Sequence, residues 1–163
     1  MAKKKSKNNS FSLIRKGIAL LASVLTFIFL FLEFVAVKVT ATVLGNEVAE
    51  SEGLKYFDFL VNSDYEMARE EFGLSTAIMW IVFALVVLAV VISVSAFVMK
   101  KGAKGSKLGA GLLLVAMILM FVVNFDKVEA LSVKTYITNI TALYFVSLAV
   151  SLISVGAVAT LKD

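Results

Sequence analysis

Few groups in this chain are able to do chemistry. It has no cysteine and no histidine, which excludes thiolate nucleophiles, disulfides, haem or zinc held by thiolate or imidazole, and imidazole proton relays. Carboxylates, hydroxyls and aromatic rings are left. Glu33 stands out because it follows the unbroken apolar run Phe29 to Leu32. A carboxylate inside a membrane helix is by default a functional candidate, since placing it at mid-span costs about 2.5 kcal/mol or more. Counted from Gly17 at about 1.5 Å per residue, Glu33 falls roughly 24 Å along a helix, near the outer edge of the hydrocarbon. Two roles follow: coupling of an ion or substrate, or an interfacial hydrogen bond or ion pair that locks an outer cap to the helices. The edge position favours the second. Lys38 is a poorly spaced helical neighbour for it, and Asp126 with Lys127 are other possible neighbours.

The second group is a set of rings, Tyr56, Phe57, Phe59, Tyr65 and Phe72, in a stretch full of carboxylates. They suit either a partner-binding surface or anchoring at the membrane interface and packing of the cap, and the second is the more ordinary use. The acidic residues Glu47, Glu50, Glu52 and Asp64 match no calcium-loop spacing, and acidic loops are usually just solvated. No metal and no cofactor is expected. KKGAKGSKLGAG, Lys100 to Gly111, fits neither phosphate-binding glycine motif and reads as a basic hairpin loop. The glycosylation sequons at Asn8 and Asn139 are weak matches, one in a basic tail and one against the membrane.

The elements that must position these residues are set by composition. The chain has 163 residues, 60% hydrophobic, with mean hydropathy +0.95, too apolar for an ordinary soluble domain. Crossing a bilayer takes about 20 apolar residues, and spans are expected at 17–34, 74–99, 108–125 and 140–161. The chain has no proline, so continuous helices are expected. Lysines and arginines precede the first span and fill the connection between the second and third. Carboxylates fill the outer loops, 35–73 and 126–139. Short cytoplasmic loops keep the cations, which places both termini in the cytoplasm of a multi-pass cell-membrane protein, with residues 1–16 as a basic tail able to lean on anionic headgroups. The net charge of +4 is thus a dipolar arrangement and implies no nucleic acid. Cleavage of the first span as a signal peptide is disfavoured, because its apolar stretch is too long and Glu33 interrupts its end.

Alternation with period two runs from Val35 through Val37, Val39, Ala41 and Val43, and recurs over Leu131, Val133, Thr135 and Ile137. Both read as strands, with turn chemistry at Gly45 and Asn46. Lone strands leave backbone groups unpaired, so one small extracellular sheet is expected, completed by a strand within 53–61. Ser63 or Asp64 reads as the N-cap of a helix that continues into the second span. Hydroxyls within the spans are expected to bond back to carbonyls of the preceding turn. Ser147, Ser151, Ser154 and Ala157, with Gly156 nearby, form a small-residue face suited to close helix packing, within the chain or against another membrane protein. The fold expected is an all-α four-helix bundle in the membrane, both ends inside, under a β-sheet cap from the two outer loops.

This outline resembles the claudin-like topology of tetraspan membrane proteins: a first outer loop continuing span one as a strand, a short basic inner hairpin, and a second loop adding a strand. The family's Gly-Leu-Trp run and disulfide pair have no counterpart here, the sole tryptophan being Trp80 in span two. Two functions stand as expectations. One is a non-catalytic membrane scaffold or accessory subunit whose acidic, aromatic cap meets a membrane-protein partner or another copy of itself. The other is a small transporter or ion pathway using Glu33. The first is favoured because no further charge lines the spans, and an enzyme working through carboxylates or hydroxyls alone is the thinnest alternative.

Overall fold

The computed structural model describes residues 2–43, 46–99, 102–123, 127–130, 133–138 and 141–162. Four long helices form the body: α1 (Ala2–Phe29), α4 (Gly73–Val98), α5 (Ala103–Val122) and α6 (Ala142–Ala159). All four are long and apolar enough to cross a membrane. Between α1 and α4 lie strands β1 (Glu33–Val43) and β2 (Asn46–Lys55) and two short helices, α2 (Tyr56–Val61) and α3 (Glu66–Glu71). Strands β3 (Lys127–Ala130) and β4 (Val133–Thr138) lie between α5 and α6. The four strands make one antiparallel sheet in the order β2-β1-β4-β3. One end of the bundle therefore carries the sheet, and the other carries the start of α1 and of α5, with Arg15, Lys16, Lys104 and Lys107.

The first helix stops at Phe29, short of the Phe34 expected. A tightened last turn closes it, with Phe31 N–H on the Ile28 carbonyl and Leu32 N–H on the Phe29 carbonyl, both at 3.0 Å. The Leu30 carbonyl, left over by the helix, accepts from the Phe57 N–H at 3.0 Å. Leu30 and Phe34 are then buried on either side of the turn, so packing under the sheet sets the exit from the helix.

Tyr56, Phe59 and Leu60 are buried together, and their i, i+3, i+4 spacing is that of a helix face. That is why 56–61 is a helix where a strand was expected, the strand having been completed upstream as β2. The cap of the next turn is Asn62, whose side chain accepts from Asp64 N–H at 3.1 Å, and not Ser63 or Asp64. α3 is offset from α4 at Phe72, which turns inward and is buried. Arg69 ties this hook together, donating to the carbonyls of Phe59 at 2.9 Å and Asn62 at 2.6 Å.

α5 begins at Ala103, so Lys104 and Lys107 sit on a helix and not in a loop. Gly105 and Gly109 let it lie close on α4. A Cβ at Gly105 would meet that of Ala96 at 2.9 Å, and one at Gly109 would overlap the Ser93 hydroxyl. Ser147, Ser151 and Ser154 of α6 are fully buried, so this face packs inside the bundle, whereas Gly156 faces open space. Ser23 and Ser151 bond back to carbonyls as expected, on Ala19 at 3.0 Å and Leu148 at 2.7 Å. Thr26, Ser147 and Ser154 are buried with no hydrogen-bond partner among the described residues.

The larger of two cores runs from the bundle into the sheet, and a smaller cluster of Ala19, Ala103, Ala110, Val158 and Leu161 packs near the other end. Phe34 stands at the joint, fully buried, with its ring edge-on to Tyr56 at 6.0 Å and to Tyr144 at 6.3 Å. The Tyr56 hydroxyl donates to the Met79 carbonyl of α4, and the Tyr144 hydroxyl to the Met117 carbonyl of α5 at 3.2 Å. Thr141 caps α6 by accepting from Tyr144 N–H at 3.2 Å, and donates to the Phe34 carbonyl at 2.9 Å. The first and last membrane-length segments are thereby stapled at one point beneath the sheet.

Candidate functional site

Cross-strand register assigns the two faces of the sheet. β1 pairs Val35 with Leu54, Val37 with Glu52 and Val39 with Glu50 on β2, and Val37 with Ile137 and Val39 with Thr135 on β4. Directly opposed residues share a face, so one face carries these valines, Leu54, Ile137 and the two glutamates. The other carries Ala36, Lys38, Thr40, Ser51 and Gly53. The apolar face is only half used by the core: Val35 and Ile137 are buried, but Val39 is 37% exposed and Val48 50%.

Opposite the uncovered half stands the hook made by α2 and α3. Phe59 and Leu60 hold it to the core, and Phe59 packs on Tyr65 with ring centroids 5.7 Å apart. Ala68, Glu71 and Phe72 follow at i, i+3, i+4 and turn toward the sheet. Sheet and hook enclose a cavity of about 210 Å³ lined by Val37, Glu52, Leu54, Phe59, Tyr65, Ala68, Glu71, Phe72 and Thr135. A shallower depression of about 340 Å³, lined by Val37, Val39, Glu50, Ser51 and Glu52, shares two of those residues. Together they form a trough, apolar on its floor, running along β2 from Phe72 toward Val39.

Glu50, Glu52 and Glu71 are exposed along it. None takes part in an ion pair among the described residues, where Lys55–Asp58 at 3.8 Å is the one salt bridge. Glu52 and Glu71 thus line one cavity from different elements, with Glu50 two residues away along β2 in the adjoining depression.

The residues singled out in the sequence separate. Glu33 is the first residue of β1, exposed, and not on a helix. Its carboxylate lies over Gly53, where an added Cβ would meet Oε2 at 2.6 Å, so glycine at 53 leaves the space that Glu33 fills. Lys38 is exposed on that same face, opposite Ser51 and Tyr136. Asp126 lies outside the described residues. Tyr56 is in the core, and burial pushes its phenol well above the ordinary value, which keeps it a neutral donor. Phe57 points away from the trough into an outward ring cluster, 5.0 Å from Phe31 and 5.5 Å from Phe83, with Trp80 6.3 Å beyond Phe83. Phe59, Tyr65 and Phe72, three of the five rings, line the trough.

Val37, Glu52, Leu54, Ala68, Glu71 and Thr135 complete the cavity lining, and sequence reasoning did not group them. The period-two run of β1 held part of the signal, since it sets Val37 on the face of Val35. The pairing of Glu52 and Glu71 had none, because it depends on the hook folding back.

Among the described residues, no three or more Asp or Glu side chains stand close enough to hold a metal ion. No family model matches this chain, and comparison with curated proteins and with solved structures finds no match either.

Proposed function

We propose that this chain is a non-catalytic scaffold or accessory subunit of the cell membrane. Its four helices cross the bilayer, both termini are cytoplasmic, and the sheet end meets a membrane-protein partner on the outer side. The observation that carries the reading is the trough: a valine strip whose Val39 and Val48 stay exposed, running into the cavity under the hook and bordered by three carboxylates without an ion pair among the described residues. Apolar surface with unsatisfied charge at its rim is the composition of an interaction site. The ring cluster of Phe31, Phe57, Phe83 and Trp80 supports the placement of the sheet end, since such rings favour the headgroup level. The strand that leaves span one and the strand from the second loop keep the claudin-like outline as a likeness of topology.

A transporter working through Glu33 is less well supported. A coupling carboxylate belongs inside the bundle or in a water-filled passage, and Glu33 lies outside it on the far face of the sheet. The reading is tested by purifying the chain from its native membrane in mild detergent after crosslinking. The expected result is a stoichiometric membrane-protein partner with crosslinks at the sheet end, lost when Val37 is replaced by Asp. A chain that purifies alone from its native membrane sinks it.

A further inference from the structure

Resting on that reading, the trough also specifies what its occupant is made of. We infer that it takes an extended segment of the partner in which one bulky apolar side chain is followed, two and four places along, by Lys or Arg. The cavity between hook and sheet holds about 210 Å³, room for one large side chain and not for a second helix. Val37, Leu54, Phe59, Tyr65, Ala68 and Phe72 make most of its wall, beside Glu52, Glu71 and Thr135, so the bulk of the group that enters is apolar.

Beyond it the chemistry changes at fixed intervals. Leu54, Glu52 and Glu50 succeed one another on one face of β2, at steps of two residues, which is about 6.6 Å. An extended segment lying along β2 presents its own side chains at the same interval. With its apolar residue seated at Leu54, the next side chain on that face reaches Glu52, with Glu71 lining the same cavity, and the one after reaches Glu50. Three carboxylates without an ion pair among the described residues select cations there. Either chain direction satisfies the spacing. The basic tail of a second copy is no candidate, because α1 carries it at the other end of the bundle.

The test uses the full chain in phosphatidylcholine nanodiscs, whose lipid has no net charge to attract cationic peptides. Fluorescein-labelled Gly-Phe-Ser-Lys-Ser-Lys-Gly and its reversed sequence are titrated by anisotropy. They are compared with the forms carrying Glu for Lys, Ala for Phe, and the two lysines adjacent. The expected result is binding at least tenfold tighter for one spaced peptide than for every control, weakened at least tenfold by E52Q with E71Q, and reduced by salt. Both substitutions are at exposed positions, and unchanged circular dichroism shows that the variant is folded. No binding, equal binding by the controls, or indifference to the double substitution overturns the inference. So does dimer formation through the trough, seen as copies that separate on E52Q with E71Q. A partner recovered from native membrane with no peptide preference leaves the scaffold reading standing without this occupant. Spaced-peptide binding by a chain that purifies alone has the opposite meaning.

Discussion

The two ends of the bundle use charge in opposite ways. At the basic end, Lys16 is only 6% exposed and its ammonium donates to the Met99 carbonyl, just past the last turn of α4, at 3.0 Å. Arg15 donates to the Thr160 hydroxyl at the close of α6 at 2.6 Å, and its guanidinium lies 4.4 Å over the Phe11 ring. Cations there meet helix C-termini, where unsatisfied carbonyls and the helix dipole favour them. At the sheet end the joints to the bundle are rings, tyrosine hydroxyls and Thr141, and Arg69 ties the hook through backbone carbonyls. One end is closed by cations set on helix C-termini, while at the other the three trough carboxylates, Glu50, Glu52 and Glu71, take part in no salt bridge among the described residues.

The strongest way to break that comparison is at Phe34. If the sheet end is held by apolar packing, F34A removes a ring seated between Tyr56 and Tyr144 and costs about 3–5 kcal/mol. Titration with a denaturing detergent is expected to show the loss, with protease reaching the segment between α1 and α4 before the helices separate. A loss below about 1 kcal/mol would mean that the sheet is held in some other way.

At the opposite end, K16M keeps most of the buried stem and deletes the ammonium. A charged hydrogen bond at a partly buried helix C-terminus contributes about 2 kcal/mol, and the same titration is expected to register it. A neutral outcome would remove the contrast at this residue, since the Lys16 charge would then hold nothing together.

What the sequence displays follows the same division. The four membrane-length helices are legible because hydrocarbon content is additive along the chain. β1 is legible because Val35, Val37 and Val39 alternate. β2 is not: Asn46, Glu47, Glu50, Glu52 and Gly53 are poor strand formers, and their conformation comes from pairing with β1. Glu33 reads as the end of a helix because Phe29 to Leu32 is apolar, yet the turn is imposed by Leu30 and Phe34 packing under residues far along the chain. The trough is the least legible, since Val37, Leu54, Phe72 and Thr135 come from separate elements and meet only when the hook folds back on the sheet.

Tyr56 sharpens the comparison through pH. Y56F removes a hydroxyl that donates to the Met79 carbonyl and costs about 1 kcal/mol near neutrality. Burial holds the folded phenol above the ordinary value near 10. Below about pH 10 both states are protonated and the contribution is fully present. As pH rises further the unfolded phenol ionises first, so stability is lost toward the raised folded value. The gap between wild type and Y56F is therefore expected to narrow above about pH 10. A gap that widens there would place the phenol in a setting that favours its charge.

The smallest expected change in stability is at the trough, and it discriminates most finely. If Glu52 and Glu71 are not used by the fold, E52Q with E71Q shifts the unfolding free energy by no more than about 0.5 kcal/mol, as exposed positions without partners do. Removing two like charges that line the same cavity would, if anything, raise stability slightly. The same variant is expected to lose the crosslinked partner from native membrane. Little change in stability together with loss of the partner separates a carboxylate kept for binding from one kept for folding, which is the distinction drawn between the two ends. A loss of 2 kcal/mol or more would instead assign Glu52 and Glu71 to the architecture, as Lys16 is assigned at the other end.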